Sequence, residues 1–174
     1  MIYRGDLDLY VGFDESNHGK YPEIIVATFS RDSSMILEST IPKQRNHPAS
    51  FLENLSCDYT FLLNPTEWKE SNYSYLMANI VGCLIKPKIN FNDTVRILID
   101  GEIKHSSDKE MNHLKKNIAD IAEIHKSRLS LKFGPDFDRI YPIVNIADEI
   151  AHYIFRKLTP EKIAQNSHLV ELLR

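Results

Sequence analysis

The sequence has few cysteines, little net charge and no long hydrophobic run. Its only two cysteines, Cys57 and Cys83, form no CxxC motif, which points to neither a disulfide framework nor a zinc site and fits a reducing cytoplasm. No apolar run approaches the roughly 20 residues of a membrane-spanning helix. The segment from Met1 to Asp8 is too polar and acidic for a signal peptide. The sequence therefore predicts a cytoplasmic protein.

The small net charge of −3 is unlike that of a typical nucleic-acid-binding domain, which is usually basic. It does not exclude one, because local basic patches matter more than the total charge. If four acids were committed to a metal site, the rest of the surface would be close to neutral.

The length of 174 residues, with 43% hydrophobic and 26% charged residues, predicts a single globular domain over residues 1–174. Hydrophobic periodicity and turn residues divide the chain into strands and helices. The predicted strands are Leu7–Asp14, Glu23–Ser30, Met35–Ile41, Asp58–Leu63 (a strand or a buried connection), Val95–Ile99 and Leu129–Phe133. The predicted helices are Asn72–Ile85, a helix from an N-cap at Ser107 to about Lys126, Asn145–Leu158, and a short one from Pro160. An antiparallel meander of the first three strands, followed by alternating helices and strands, implies an α/β fold with a mixed sheet and helices on both faces.

The stretch Leu9–Gly19 carries the first chemical signal. An apolar, aromatic-rich strand ends in the adjacent acids Asp14 and Glu15, and Ser-Asn-His-Gly follows as a turn. Adjacent carboxylates at a buried strand end are neutralised best by a hard divalent cation. Because side chains alternate along a strand, both acids reach one ion only if the chain turns at Glu15. The alternative is a surface turn with two solvated acids.

Two further acids occupy similar positions. Asp100 ends an apolar strand and precedes Gly101, where ligand chemistry gathers in parallel sheets; the alternative is an ordinary Asp-Gly turn. Asp148 lies at the margin of an apolar helical arc, with Glu149 on the opposite, solvated side; the alternative is a boundary acid with a salt-bridge partner. Acids at two strand ends and on a late helix together favour a two-metal phosphoryl-transfer site.

Several short motifs carry a resemblance to the ribonuclease H-like superfamily. Gly12-Phe13-Asp14-Glu15-Ser16-Asn17-His18-Gly19 is similar to the Gly-x-Asp-Glu-x-Gly opening of type 2 ribonucleases H, and Ile99-Asp100-Gly101 resembles the segment of their second acid. Asp14-Glu15-Ser16 and Ala147-Asp148-Glu149-Ile150-Ala151 resemble the Asp-Glu-Ser-Gly and Ala-Asp-Leu-Ile-Ala segments of the DUF3800 family, which accounts for both ends of the chain. The resemblance implies a ribonuclease H-like fold over almost the whole sequence.

The chain also departs from these motifs. Asn17 stands where Gly is usual, and His18-Gly19 replaces the Arg-Gly that helps type 2 enzymes recognise the RNA–DNA junction. Type 1 ribonucleases H carry a metal-binding Glu just before a Leu-Met-Ala segment, whereas Tyr75 precedes it here. The resemblance therefore assigns that ligand to Glu15.

The resulting hypothesis is a nuclease in which Asp14, Glu15, Asp100 and Asp148 bind two Mg²⁺ or Mn²⁺ ions, with Asp14 bridging both, to hydrolyse phosphodiester bonds of RNA, DNA or a hybrid. One alternative is a catalytically inactive ribonuclease H-like interaction module of the DUF3800 type. The other is a metal-dependent phosphatase acting on a small substrate.

Other residues are secondary candidates. Glu102, His105, Asp136 and Asp138 are predicted near the rim of the site, with Glu102 as the reserve ligand, and His152 is placed to pair with Asp148. The basic residues that could contact phosphate, most of them expected to be ordinary solvated charges, are Lys20, Lys43, Arg45, Lys104, Lys115, Lys116, Lys126 and Arg128.

Overall fold

The computed structural model describes residues 8–16, 23–64, 70–101 and 108–157. The strands in these ranges are β1 (Asp8–Ser16), β2 (Glu23–Ser30), β3 (Asp58–Asn64), β4 (Thr94–Asp100) and β5 (Leu129–Gly134). The α-helices are α1 (Glu70–Ile85), α2 (Asp108–Ala122) and α3 (Pro142–Lys157). Short 3₁₀ turns lie between them, among them Ser33–Ile36 after β2 and Phe137–Arg139 after β5.

The five strands form one mixed sheet in the order β3-β2-β1-β4-β5. β1 pairs antiparallel with β2, which pairs antiparallel with β3, while β1 and β4, and β4 and β5, pair in parallel. Every described position of β2 is buried, as expected for an inner strand with both faces covered. The prediction of an α/β fold with a mixed sheet is confirmed.

Alternation along the strands assigns each side chain to one of two layers. On β1, the odd-numbered residues Leu9, Val11 and Phe13 join the core beneath α1 and α2. Even-numbered Tyr10 belongs to a second cluster with the start of α3. The sheet thus has two helices on one face and α3 on the other.

The predicted strand Met35–Ile41 is wrong. The Asp32 side chain accepts a hydrogen bond from the Ser34 N–H at 2.9 Å, which starts the 3₁₀ turn Ser33–Ile36. This local hydrogen bond competes with strand pairing, and Leu37 beyond it is 64% exposed. The third strand of the meander is instead the later segment, β3.

Three of the four predicted helices are present among the described residues, with shifted ends. α1 buries Leu76 and Ile80 as expected, but Tyr75 and Cys83 of the same predicted set are exposed. α2 ends at Ala122 rather than near Lys126, because the next residue, Glu123, has a left-handed φ of 58°.

α3 begins at Pro142 rather than Asn145, because proline is favoured in a first helical turn. The predicted N-cap Ser107 and the predicted helix at Pro160 lie outside the described residues. Among the described helices, none is long and apolar enough to cross a membrane.

Gly12 sets the distance between β1 and α3. A Cβ atom at this position would lie 2.8 Å from the Thr28 hydroxyl oxygen and closer still to the Ile143 carbonyl. The buried Thr28 hydroxyl donates to the Ile143 carbonyl oxygen at 2.8 Å and so ties β2 to the first turn of α3. A side chain at position 12 would push the helix away from the sheet.

Candidate metal centre

Two acids lie at the carboxyl edge shared by the parallel strands β1 and β4. Phe13 pairs with Ile99 in the ladder, so Asp14 and Asp100 follow at equivalent positions. Leu98 lies in the cluster on the α3 side, and alternation therefore places Asp100 on that same face. Asp14 is 4% exposed, and Asp100 is half-buried.

The loop after β5 and the middle of α3 add two more carboxylates. Asp14, Asp138 and Asp148 are all buried, and each offers one oxygen such that the three oxygens lie within 4.8 Å of one another. These residues come from a strand, a 3₁₀ turn and a helix far apart in the sequence. The fold thus converges three carboxylates on one point.

Asp138 is held in place by three parts of the fold. Its carbonyl oxygen accepts a 2.9 Å hydrogen bond from the Asn145 side chain, and its backbone N–H donates to the Asp100 carboxylate at 3.3 Å. The loop around it is shaped by Phe137, whose ring packs so closely on Gly134 that a Cβ there would overlap it. The backbone on both sides of the Asp138 side chain is therefore held by hydrogen bonds.

Asp100 contributes differently from the other three acids. Besides the N–H of Asp138 it receives a backbone hydrogen bond from Phe137, and it is not one of the three acids that offer mutually close oxygens. In this arrangement Asp100 orients the turn that carries Asp138 and adds negative charge beside the cluster.

Burial and mutual repulsion raise the pKa values of two acids at this site. Burial, followed by the negative charges of Asp148 and Asp100, raises the pKa of Asp14 well above its usual value, although a 2.7 Å hydrogen bond from the Glu15 N–H opposes the change. Burial and the nearby Asp138 also raise the pKa of Asp100. A proton or a metal ion would relieve the same repulsion.

Two basic side chains reach the cluster from the connection between β2 and β3. The ammonium group of Lys43 forms an ion pair with Asp138 and lies 3.7 Å from Asp148 Oδ2. Arg45 Nη1 lies 3.3 Å from the same Asp148 oxygen. Among the described residues, two basic side chains therefore lie against the four carboxylates, and a divalent ion would add further positive charge.

Residues 39–51, here called the cover segment, are fixed over α3 and the turn before it. The Ser39 and Ile41 N–H groups donate to the carbonyl oxygens of Ile140 and Arg139, each at 3.0 Å. Further along, Arg156 Nη1 donates to the Arg45 carbonyl oxygen at 2.8 Å. Both ends of the Lys43–Arg45 stretch are therefore anchored.

Glu149 lies under this segment, so the prediction that it faces solvent is wrong. Its side chain is 12% exposed, and it accepts a 3.4 Å hydrogen bond from the Gln44 N–H. Its other oxygen lies 3.8 Å from His47 Nε2, whose ring stacks on Phe51 at 3.9 Å between centroids. Helical periodicity could not reveal this contact, because a distant loop supplies the cover.

Glu15 does not join the acids. β1 continues to Ser16 and remains paired with β2 through Ser16 and Ile24, so the predicted turn at Glu15 is wrong. Regular alternation sends Glu15 to the face opposite Asp14, the side of α1 and α2.

Among the secondary candidates, Asp138 proves central and not peripheral. Its signal in the sequence was an acid shortly after the end of a strand. Asp136 of the same loop is exposed. The Nε2 atom of His152 is buried without a hydrogen-bond partner among the described residues, so it makes no hydrogen bond to Asp148 through that atom. His18, Glu102 and His105 lie outside the described residues.

The donor set fits a hard divalent cation. Mg²⁺ and Mn²⁺ prefer carboxylate oxygens, and Asp14, Asp138 and Asp148 supply only such oxygens. Burial first, and then the neighbouring acids, raise the pKa of Asp14, and a bound cation would favour its ionised form.

In comparisons with known proteins, no family model matches the chain, and no curated protein matches it with significant sequence similarity.

Proposed function

We propose that this protein is a divalent-metal-dependent phosphodiester hydrolase with a ribonuclease H-like fold, acting on nucleic acid. The observation that carries the proposal is the convergence of the buried carboxylates of Asp14, Asp138 and Asp148 within 4.8 Å. Burying three acids together is costly unless protons, basic side chains or a metal ion neutralise them, and a divalent ion can neutralise several at once. The order of the elements, an antiparallel meander followed by parallel strands, supports the fold assignment.

Asp14, Asp138 and Asp148 would hold Mg²⁺ or Mn²⁺. When bound, such ions lower the pKa of a coordinated water and stabilise charge on phosphate oxygens. The chain's own residues do the positioning. Asp100 accepts a hydrogen bond from the backbone N–H of Asp138 and so orients that ligand, and its predicted role as a direct ligand stays a prediction.

Lys43 and Arg45 are the basic groups nearest to this site among the described residues, and a phosphodiester entering it would meet them first. A guanidinium group can bind phosphate oxygens in bidentate fashion, and an ammonium group acts as a point charge. Lys43 and Arg45, two of the eight basic residues proposed as phosphate contacts, lie against the acids of this site, which supports the proposal.

The test is cleavage of labelled RNA, DNA and RNA–DNA hybrid by the purified protein in Mn²⁺ or Mg²⁺, compared with EDTA. We expect metal-dependent cleavage of at least one polymer, and loss of at least a hundredfold of the rate in Asp14→Asn and Asp138→Asn, since removing a catalytic group typically costs that much.

Asp136→Asn is the matched control. It makes the same chemical change two residues from Asp138, at an exposed position, and asparagine tolerates the left-handed backbone found there, with φ 59°. Equal activity of Asp14→Asn and the parent protein would refute the proposal. Hydrolysis of a generic phosphomonoester but of no polymer would assign the site to a phosphatase instead.

A second candidate, an inactive ribonuclease H-like interaction module, is favoured by one observation. Lys43 and Arg45 already neutralise part of the cluster, as in a purely structural ion network. That candidate predicts no binding of Mn²⁺ at millimolar concentration by calorimetry. Binding of Mn²⁺ that is lost in Asp138→Asn and kept in Asp136→Asn would exclude it.

A further inference from the structure

We infer that Lys43 is a built-in competitor for the metal site, so that a divalent ion binds only when the Lys43 ammonium group leaves the acids. This inference rests on the proposed function, because it concerns regulation of the same site.

The contacts of Lys43 are those of an internal cation. Its ammonium group pairs with Asp138 and lies 3.7 Å from Asp148, which are two of the three carboxylates that converge. An ammonium group and a metal ion use the same carboxylate lone pairs. As long as Lys43 stays in contact with Asp138, that acid cannot offer all its oxygens to a metal.

The position of Lys43 follows from how the cover segment is anchored. The backbone hydrogen bonds of Ile41 on one side and of Arg45 on the other hold the chain next to α3. The Lys43 side chain is 29% exposed, so it has a route to solvent without unfolding of the segment. The anchoring keeps the ammonium group close enough to return whenever the metal dissociates.

A comparison with Arg45 distinguishes direct competition for the acids from a general effect of positive charge on metal affinity. It carries the same charge and lies 3.3 Å from Asp148, but it contacts only that one acid of the three. If the surrounding positive charge alone weakened metal binding, removal of either side chain would have a similar effect. Direct occupancy predicts a larger effect for Lys43.

The experiment measures Mn²⁺ binding by calorimetry for the full chain and three variants. We expect Lys43→Gln to bind Mn²⁺ about tenfold more tightly than the parent, and Arg45→Gln no more than about threefold more tightly, since Arg45 contacts one of the three acids where Lys43 contacts two, and its side chain is the more exposed of the two. Lys116→Gln, an exposed lysine on α2, is expected to bind like the parent.

A second measurement avoids any dependence on how the variants fold. Acetylation of lysines in the parent protein is compared by mass spectrometry in EDTA and in saturating Mg²⁺. Released from the acids, Lys43 is expected to react several-fold faster in Mg²⁺, whereas Lys116 reacts at the same rate in both conditions.

Equal Mn²⁺ affinity of Lys43→Gln and Arg45→Gln, or unchanged Lys43 acetylation in Mg²⁺, would overturn the inference and leave the proposed function standing. Absence of Mn²⁺ binding in the parent and in all variants would overturn both.

Discussion

Replacing Asp14 with asparagine is expected to stabilise the metal-free protein while abolishing metal binding. Asparagine is close to aspartate in size and keeps an oxygen for the 2.7 Å hydrogen bond from the Glu15 N–H. The substitution therefore removes the charge and little else. The Asp14 side chain is 4% exposed and lies close to Asp138 and Asp148, so its negative charge lowers the stability of the folded state.

The size of the effect follows from the distances. Two unit charges about 5 Å apart repel by about 3 kcal/mol at an effective dielectric constant of about 20. Lys43 and Arg45 offset part of this repulsion, because both lie against the same acids. We therefore expect Asp14→Asn to raise the free energy of unfolding by about 1–3 kcal/mol at pH 8 in EDTA.

The gain should depend on pH in a defined direction. Because the pKa of Asp14 is higher in the folded than in the unfolded protein, the folded state holds more protons between the two pKa values. The stability of the parent then falls by up to about 1.4 kcal/mol per pH unit as the pH rises from the ordinary Asp value towards the folded pKa, and levels off above it. Asp14→Asn lacks this contribution.

The assay is urea unfolding of both proteins between pH 4 and pH 8 in EDTA, repeated in Mg²⁺. The stability difference should be smallest near pH 4 and grow with pH. Mg²⁺ at a thousand times its Kd should reverse the order, since it stabilises the parent by about 4.1 kcal/mol. Asp120→Asn, on the exposed side of α2, should change the free energy of unfolding at no pH, either in EDTA or in Mg²⁺. A difference that is independent of pH would refute the electrostatic account.

Three further predictions test the fold and the ligand set. Asp138→Asn should weaken Mn²⁺ binding at least about tenfold and Glu15→Gln should not; calorimetry showing the reverse would restore the sequence-based ligand set. Gly12→Ala should lower the free energy of unfolding by about 1–3 kcal/mol, because its Cβ would overlap the Ile143 carbonyl; an unchanged urea midpoint would contradict the close approach of α3. In an Ellman assay at pH 8, Cys83 should react quickly because it is exposed, and Cys57 slowly, because burial raises its pKa to about 11; equal rates would contradict the described burial.

Much of the fold could be predicted because local patterns carry it. The predicted strand Glu23–Ser30 has the observed bounds, and the predicted strand Val95–Ile99 is one residue shorter at each end than the observed strand, Thr94–Asp100. Each is a run of apolar residues whose pattern does not depend on distant contacts. The segment Met35–Ile41 is not a strand because the hydrogen bond that the Asp32 side chain accepts from the Ser34 N–H outweighs its weak strand propensity.

The candidate site was harder to predict, since it depends on long-range geometry. Asp14 and Asp148 could be selected as acids at the margin of apolar segments. Glu15 could join the predicted ligand set only if the chain turned there. Instead, Glu15 and Ser16 continue the pairing of β1 with β2, so the strand stays regular. The position of Asp138 in the cluster depends on hydrogen bonds from Asn145 and to Asp100 that hold its backbone. The contacts of Lys43 depend on the hydrogen bonds that anchor the cover segment. Neither is visible in a local pattern.

The backbone junction at Gly12 bears on how this protein tolerates change. The gap between the strand carrying Asp14 and the helix carrying Asp148 is fixed by main-chain atoms and by one buried hydroxyl, two residues before the first acid and five before the second. Core side chains elsewhere can be exchanged for others of similar volume without altering the spacing of the two carboxylates. Changes in the surrounding loops are therefore expected to leave the spacing of these two carboxylates intact, because it is set at a position that contributes no side chain to the acidic cluster.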